Sequence, residues 1–248
     1  MLEKSIKKYL HNINGIVQVG SNTGQEVELF IKYKIKKISL FEPLQDAFER
    51  LSSNPKFKNI NMYNFALGNK NEEAVINVAD KNFGASSSIL NPTLHNSLFP
   101  EIKFNKKENI VIKKFSSLGI TGHNFMVIDT QGYELRVLEG FEEKLHEFSY
   151  IYTEISSKSL YEDDVLVTDL DNYLKNKGFT RVKTRWASNK PQGDALYIKS
   201  TTLNIFSKIY YIFKSKLQLS KLYIFINFFK DPRKVFYLIK KTIKKYLF

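Results

Sequence analysis

Two glycines and three acids stand where an α/β sheet would build a small-molecule site. Gly20 and Gly24 lie in "VQVGSNTGQE", just after two apolar β-formers and just before a helical pattern. Glu42 follows 22 positions after Gly20, Asp129 closes the apolar run 125–128, and Glu154 closes the run 150–153. A glycine turn at a strand end lets a ligand approach bare backbone. Free N–H groups at the helix start beyond it would suit a carboxylate or a nucleoside sugar. An acid at the end of the second strand can accept hydrogen bonds from both hydroxyls of a ribose, and its charge repels a ribose phosphate.

Asp129 and Glu154, acids at the ends of adjacent strands, are candidate bases for an acceptor hydroxyl, a poor nucleophile until its proton is removed. His95 in the 70–120 segment is a third candidate; its plainer reading is a surface loop residue. For the two acids the plainer reading is a helix cap. Gly20 and Gly24 are spaced G-x-x-x-G, neither a dinucleotide fingerprint nor a phosphate loop, which disfavours a nicotinamide-dependent dehydrogenase. His11, His123 and His146 have no partner at metal-ligand spacing, so no metal is expected. Asp169-Leu170-Asp171 falls inside an amphipathic helix, where a solvated face is expected.

The elements that must position these residues follow from hydrophobic period. Residues 16–19 read as a buried strand, and Val27, Phe30 and Ile31 mark a helix face. Residues 38–41 form a second strand, followed by a helix with Leu44, Ala47, Phe48 and Leu51 inward and Pro43 at its first position. A third strand is expected over 60–66. The rhythm then breaks: 74–79 and 110–115 look like extra strands around a loop with Ser86-Ser87-Ser88. Strands at 125–128, 150–153, 179–183 and 195–199 complete the pattern, with helices at 134–138 and around Leu166, Leu170, Tyr173 and Leu174. Alternation of this kind implies an α/β fold with a mostly parallel sheet, where ligands bind beyond the carboxyl ends of the strands.

Composition narrows the classes. With 248 residues and no cysteine, the chain suits one α/β domain plus an appendage, without disulfides or thiolate sites. A mean hydropathy of -0.30 disfavours an integral membrane protein. No early stretch resembles a secretory leader, so a cytoplasmic protein is expected. The net charge of +13 is uneven. Residues 201–248 hold eleven Lys and Arg against Asp231 alone, which leaves +3 for the remainder. The division expected is 1–199 for the domain and 200–248 for a basic, aromatic, helical tail.

Its longest uncharged run, 222–229, is too short to span a bilayer, and Pro232 splits it in two. Lysines interleaved with Phe206, Tyr210 and Phe213 suit peripheral contact with an anionic membrane surface, such as the inner face of a cell membrane. A helical cap or a dimer contact is the alternative, and nucleic acid is disfavoured. The oligomeric state is open.

"VGSNTGQ", "FEP" (41–43), "FALGN" (65–69), "SSSIL" (86–90), "IDTQGYELRVLEG" (128–140), "YTEISSKSLYE" (152–162) and "GDALYIK" (193–199) occur in the order and spacing of the FkbM-type methyltransferases. The chain resembles that family over roughly residues 14–199. The resemblance implies a class I methyltransferase fold, a Rossmann-like seven-stranded sheet with helices on both faces and extra strands between strands 3 and 4. It implies S-adenosyl-L-methionine as cofactor, with Gly20, Ser21, Asn22 and Gly24 at its methionine and ribose parts. Glu42 would then take the ribose hydroxyls, Ala66 and Leu67 would line the adenine pocket, and Asp129 would lie at the methionine end. Two positions depart from the family pattern. Gln18 stands where many members have an acid, and Lys114-Phe115-Ser116-Ser117-Leu118 replaces a Thr-Leu-Asp-Asp-Leu-like stretch.

The expected function is O-methyl transfer to a sugar hydroxyl of a surface polysaccharide or glycolipid precursor. Asp129 would orient cofactor or acceptor, and Glu154 would bind the acceptor or act as base. The second reading is a catalytically weak nucleoside- or glycan-binding protein on the same fold.

Overall fold

The computed structural model describes residues 2–218. Two compact units are present, residues 1–203 and residues 204–248.

The first unit opens with helix α1 (Leu2–Ile6) and strand β1 (Gly15–Val19). Helix α2 (Val27–Lys32), β2 (Lys37–Phe41), α3 (Gln45–Ser53) and β3 (Asn61–Tyr63) follow. Strands β4 (Ala66–Leu67), β5 (Glu72–Val78) and β6 (Lys106–Lys113) form a separate small sheet, with α4 (Leu94–Leu98) between β5 and β6. The main alternation resumes with β7 (Phe125–Ile128), α5 (Glu134–Glu139), β8 (Tyr150–Ser156) and α6 (Val167–Asn176), and ends with β9 (Phe179–Trp186) and β10 (Gln192–Lys199).

The main sheet has seven strands in the order β3-β2-β1-β7-β8-β10-β9, and all neighbours are parallel except those of β10. It is the mostly parallel seven-stranded sheet expected, and strand order reverses at β1. Connections run outward from there in both directions, and right-handed crossovers then put α2 and α3 on one face and α5 and α6 on the other. Full burial of every residue of β1 and β7 agrees, because a strand covered on both faces has no polar side to show.

Four expectations shift. The stretch 60–66 does not continue as one strand, because β3 stops at Tyr63 and Ala66-Leu67 pairs with β6 instead. Pro43 precedes α3 without being its first residue; the Glu42 carboxylate accepts the Leu44 N–H at 2.9 Å, so the chain turns before Gln45 starts the helix. Glu154 lies inside β8, which runs on to Ser156 through pairing with β10. Asp171 does not sit on a wholly solvated face: it accepts from Nε and Nη2 of the buried Arg181, at 2.9 and 2.8 Å, and from the Tyr197 hydroxyl at 2.9 Å.

The stretch 114–118 builds core. Phe115 stacks on Phe141 at 4.1 Å between ring centroids and meets Phe41 and Phe148 edge-on. Ser116 is anchored by its N–H to the Gly140 carbonyl. In the second unit, α7 (Ile205–Gln218) starts at Asn204, whose side chain accepts the Ser207 N–H, and it exposes Ile205, Phe206, Ile209 and Tyr210. The run 222–229 and Pro232 lie outside the described residues.

Gly20 holds β1 against the end of β7. It has φ +76°, and a Cβ there would sit 1.9 Å from the Asp129 carbonyl oxygen. Gly20→Ala therefore combines left-handed strain with a backbone clash, and should cost about 2–4 kcal/mol. Urea unfolding of the two proteins measures the difference.

Candidate functional site

The register of the sheet assembles the acids. Val19 pairs with Phe41 and with Ile128, Ile128 pairs with Thr153, and Glu154 pairs with Asp194. One step further along the parallel strands, Glu42, Gly20, Asp129 and Glu154 form a single row, which Asp194 extends. Asp194 belongs in it because β10 is antiparallel, so its beginning meets the others' ends. This row floors a cleft of about 600 Å³, within the range of small-molecule sites, roughly 300–1,000 Å³. The small sheet and the 84–89 loop contribute Leu67, Ile76, Gly84 and Ser87 to its wall.

At the β2 end, Glu42 is buried, and its carboxylate accepts from Asn22 N at 2.7 Å and from Leu44 N at 2.9 Å. Burial raises its pKa to about 7 against the opposing pull of those two N–H groups. Two of the four lone-pair positions of this carboxylate are used, and the side chain lines the cleft. The glycine turn itself has fewer free donors than the sequence suggests. Gly20 and Ser21 both donate N–H to the Phe41 carbonyl, and Gly24 donates to Ser21. These groups extend the β1–β2 ladder and close the turn.

At the β7–β8 end, Asp129 opens onto the cleft and Glu154 is half-buried beside it. The Gln131 amide donates to Asp129 Oδ1 at 2.6 Å and to Glu154 Oε2 at 3.0 Å, while its own oxygen accepts from the Tyr161 hydroxyl at 2.9 Å. The two carboxylates fix which way the amide faces, since the flipped amide would set an oxygen against them. Gln131 adopts φ +54°, and its carbonyl accepts from the Ser88 hydroxyl at 2.7 Å, so "SSSIL" braces "DTQG". Desolvation raises the pKa of both acids first, and for Glu154 the Asp129 charge raises it further. Water in the open cleft softens this rise for Asp129. Neither acid caps a helix, and α5 has no side-chain cap; Glu134, its first residue, braces the preceding turn, its buried carboxylate accepting from Thr130 N, Thr130 Oγ1 and Gly132 N.

The cleft is lined by Glu3, Glu26, Glu42, Asp129, Glu154 and Asp194, and by no lysine or arginine among the described residues. Gln18 lies at its floor, donating its amide to Glu26 Oε2 at 2.9 Å. No cluster of three or more potential metal ligands forms among the described residues.

Of the residues singled out from sequence, Gly20, Asn22, Glu42, Ala66, Leu67, Asp129 and Glu154 converge on this cleft. Ser21 and Gly24 do not line it. The Ser21 hydroxyl donates to the Phe41 carbonyl, and a Cβ at Gly24 (φ +85°) would meet Leu51 and Phe57 at 2.8 Å, so both shape the turn from behind. His95 is neither at the cleft nor on the surface: it is buried against Phe99, Phe104 and Tyr161, and burial lowers its pKa. Ser116 does not line the cleft. Sequence reasoning passed over Gln131, Glu26 and Asp194. The acid opening "GDALYIK" was the available signal for Asp194, given an antiparallel last strand.

The model of the methyltransferase FkbM domain matches residues 18–181. A relative named 2-O-methyltransferase NoeI, from Sinorhizobium fredii, is 25% identical over 158 residues, which cover 59% of this chain and 65% of that protein. The chain therefore spans less than two thirds of that relative's length. Among solved structures, an FkbM methyltransferase from Methylobacillus flagellatus is 16% identical over 75% of this chain and 43% of its own, with a TM-score of 0.47. A putative tRNA (m1A22) methyltransferase from Streptococcus pneumoniae, in complex with S-adenosyl-L-methionine, is 14% identical over 95% and 88%, with a TM-score of 0.48.

A raised carboxyl pKa favours the protonated form in the folded chain, so its stabilisation is complete below the unfolded value and is lost as pH rises through the folded one. For Glu42 the window runs from about 4.5 to about 7. At pH 8 the loss from Glu42 alone approaches about 3 kcal/mol. Thermal unfolding between pH 5 and 8 should show wild type losing stability relative to Glu42→Gln, and a pH-independent difference would contradict the burial argument.

Proposed function

Because the chain belongs to the methyltransferase FkbM domain family, we propose that it transfers a methyl group from S-adenosylmethionine to a hydroxyl of a sugar, in a surface polysaccharide or a glycolipid precursor. The observation that carries this reading is the charge of the cleft, which is lined by six acids and by no lysine or arginine among the described residues. Such a site suits a ligand bearing a sulfonium and an ammonium and disfavours a phosphorylated one.

The residues fit the cofactor part by part. Glu42 has lone pairs to spare for the two ribose hydroxyls, Ala66 and Leu67 offer an apolar wall to adenine, and Asn22 and Gly20 present the turn. Ser21 and Gly24 hold that turn in shape. Asp129 faces the methionine end. When bound, S-adenosylmethionine supplies an electrophilic methyl on a sulfonium sulfur.

The chain's own contribution is alignment and proton handling. Methyl transfer to oxygen needs the acceptor held in line at about 3–3.5 Å from the reacting carbon. Glu154 takes the acceptor's proton, and desolvation together with the neighbouring Asp129 charge raises its pKa, which strengthens its pull on that proton. Gln131 keeps the two carboxyls in place. A relative named for 2-O-methyl transfer supports oxygen as the accepting atom. The reading as a binding protein without turnover leaned on Ser116, which does not line the cleft, and on Gln18, which is partnered by Glu26.

For the second unit we propose peripheral attachment. The helix α7 carries Lys208 and Lys214 beside exposed Ile205, Phe206, Ile209 and Tyr210, a pattern suited to the boundary between headgroups and acyl chains. No helix among the described residues is long and apolar enough to cross a membrane.

Calorimetry with S-adenosylmethionine tests the cofactor assignment, and mass spectrometry of surface glycans with and without the gene finds the acceptor. Glu154→Gln should lower turnover about 10²–10⁴-fold while leaving cofactor affinity nearly unchanged; full turnover would remove Glu154 as the base. Glu42→Ala should weaken cofactor binding by about 10–100-fold through loss of charge-assisted hydrogen bonds. The full chain should float with vesicles containing anionic lipid and be released by salt; equal behaviour with neutral vesicles would contradict electrostatic attachment.

A further inference from the structure

Helix α1 contributes to the walls of two cavities of opposite charge. Leu2 and Glu3 line the acidic cleft, whereas Lys4, Lys7 and Lys8, from α1 and the turn after it, line a second groove of about 620 Å³. Lys183 of β9 completes its basic rim, and the Lys183 ammonium donates to the Lys4 carbonyl at 2.7 Å, which ties β9 to α1. Val182 and Leu196 are buried and give the groove an apolar floor. No aspartate or glutamate lines it among the described residues. Lysines gathered around one concave site create a field for an anion. A carboxylate would bring a single charge to such a rim, whereas a phosphate or diphosphate brings several and presents acceptor oxygens on every side, which suits ammonium groups acting as point charges.

Sheet register joins this groove to the reaction site. Glu154 pairs with Asp194, Asp194 pairs with Arg185, and Leu196 pairs with Lys183. Residues directly opposed in an antiparallel pair share a face of the sheet. At about 4.8 Å per strand, the Arg185 backbone lies about 10 Å from that of Glu154, and Lys183 is about 7 Å further back along β9. Both side chains are on exposed residues at that edge. The acids of the cleft repel phosphate, so an acceptor that carries one can present its hydroxyl to Glu154 only with the phosphate lying beyond them. The β9 edge is where cations stand to receive it.

We propose that the groove lined by Lys4, Lys7, Lys8 and Lys183 holds the phosphate of a phosphate-linked sugar acceptor while a hydroxyl of that sugar reaches Glu154. The inference rests on the methyl-transfer reading above and names the class of acceptor within it. A concave site with an apolar floor, and a volume within the roughly 300–1,000 Å³ of small-molecule sites, favours a discrete ligand over the flat face of a membrane. The two cavities then divide the work by charge, the acidic one taking a cationic methyl donor and the basic one an anionic acceptor.

Calorimetry on the full chain with pyrophosphate as the probe tests the groove. Lys4→Gln combined with Lys8→Gln should weaken binding about tenfold or more, and Lys4→Arg combined with Lys8→Arg should keep it within about threefold. Lys58→Gln combined with Lys70→Gln removes the same charge from exposed positions elsewhere and should change it by about twofold or less. Saturating S-adenosylhomocysteine should leave pyrophosphate affinity unchanged, because the two sites are separate. Transfer of labelled methyl from S-adenosylmethionine to a cell-envelope extract, taken from cells lacking the gene, should be inhibited by pyrophosphate and should show a raised KM in the glutamine variant, whose affinity for S-adenosylhomocysteine stays the same. Absence of pyrophosphate binding, full binding retained in the glutamine variant, or displacement by S-adenosylhomocysteine overturns the inference and leaves the methyl-transfer reading standing. Vesicles containing phosphatidylglycerol that bind wild type better than the glutamine variant, with methyl transfer equal in both, assign the lysines to a lipid headgroup and overturn the acceptor role. If wild type binds no S-adenosylmethionine or transfers no label, the methyl-transfer reading falls and takes the acceptor role with it.

Discussion

The contact on which the site depends is the approach of the Gly20 backbone to the Asp129 carbonyl. There is no room for a side chain between the end of β1 and the end of β7. Because the two strands close to that distance, their last residues finish level, and Asp129 N can donate to the Val19 carbonyl at 3.0 Å. Glu42, Asp129 and Glu154 then fall into one row across four strands, and the reversal of strand order at β1 opens the cleft above it. A side chain at position 20 would push β7 away and break the row at its centre.

Electrostatics does the rest. Carboxyl groups crowded into a partly dry site resist ionisation; the fold offsets this with oriented neutral donors at Glu42, Asp129, Glu134 and Glu154, whereas Glu3 pairs with Lys32 at 2.8 Å. Glu42 has two backbone N–H groups, Glu134 has two more and a hydroxyl, and Asp129 and Glu154 share the Gln131 amide. Amides and hydroxyls steady an acid without cancelling its charge. The cleft therefore keeps a net negative field for a cationic ligand, which a lysine or arginine in the same place would have extinguished. The cost is a fold that carries raised carboxyl pKa values at the one place where they are chemically useful.

The fold was legible wherever hydrophobic period was clean. Residues 125–128 read as a strand because four buried apolar residues in a row between polar ones admit little else, and the small-sheet strands stood out because they interrupt the βα rhythm. Misreadings came where a partner strand decides the outcome. Ala66-Leu67 left the main sheet because β6 offered it a second edge, and Glu154 joined β8 because β10 pairs past it; neither choice is encoded in the local pattern. His95 looked like a loop residue, since nothing nearby in the sequence announces Phe104 and Tyr161 as its neighbours. Of the site, the glycine turn and the acids Glu42, Asp129 and Glu154 were readable from position alone, although Glu154 proved to lie inside its strand. Gln131, Glu26 and Asp194 were not, because each acts through a residue eight or more positions away or on another strand.

By itself, then, the order of residues determined the alternation of strands and helices, the placement of Glu42 and Asp129 at strand ends, and the concentration of positive charge in residues 201–248. These are local properties, set by periodicity, turn chemistry and composition. Only the tertiary structure decided that Gly20 answers to the Asp129 backbone, that Ser21 and Gly24 support the turn without lining the cleft, and that Gln18 has Glu26 for a partner. Such facts depend on strand order and register, which emerge when distant segments bury their apolar faces together, and which no single stretch of chain contains.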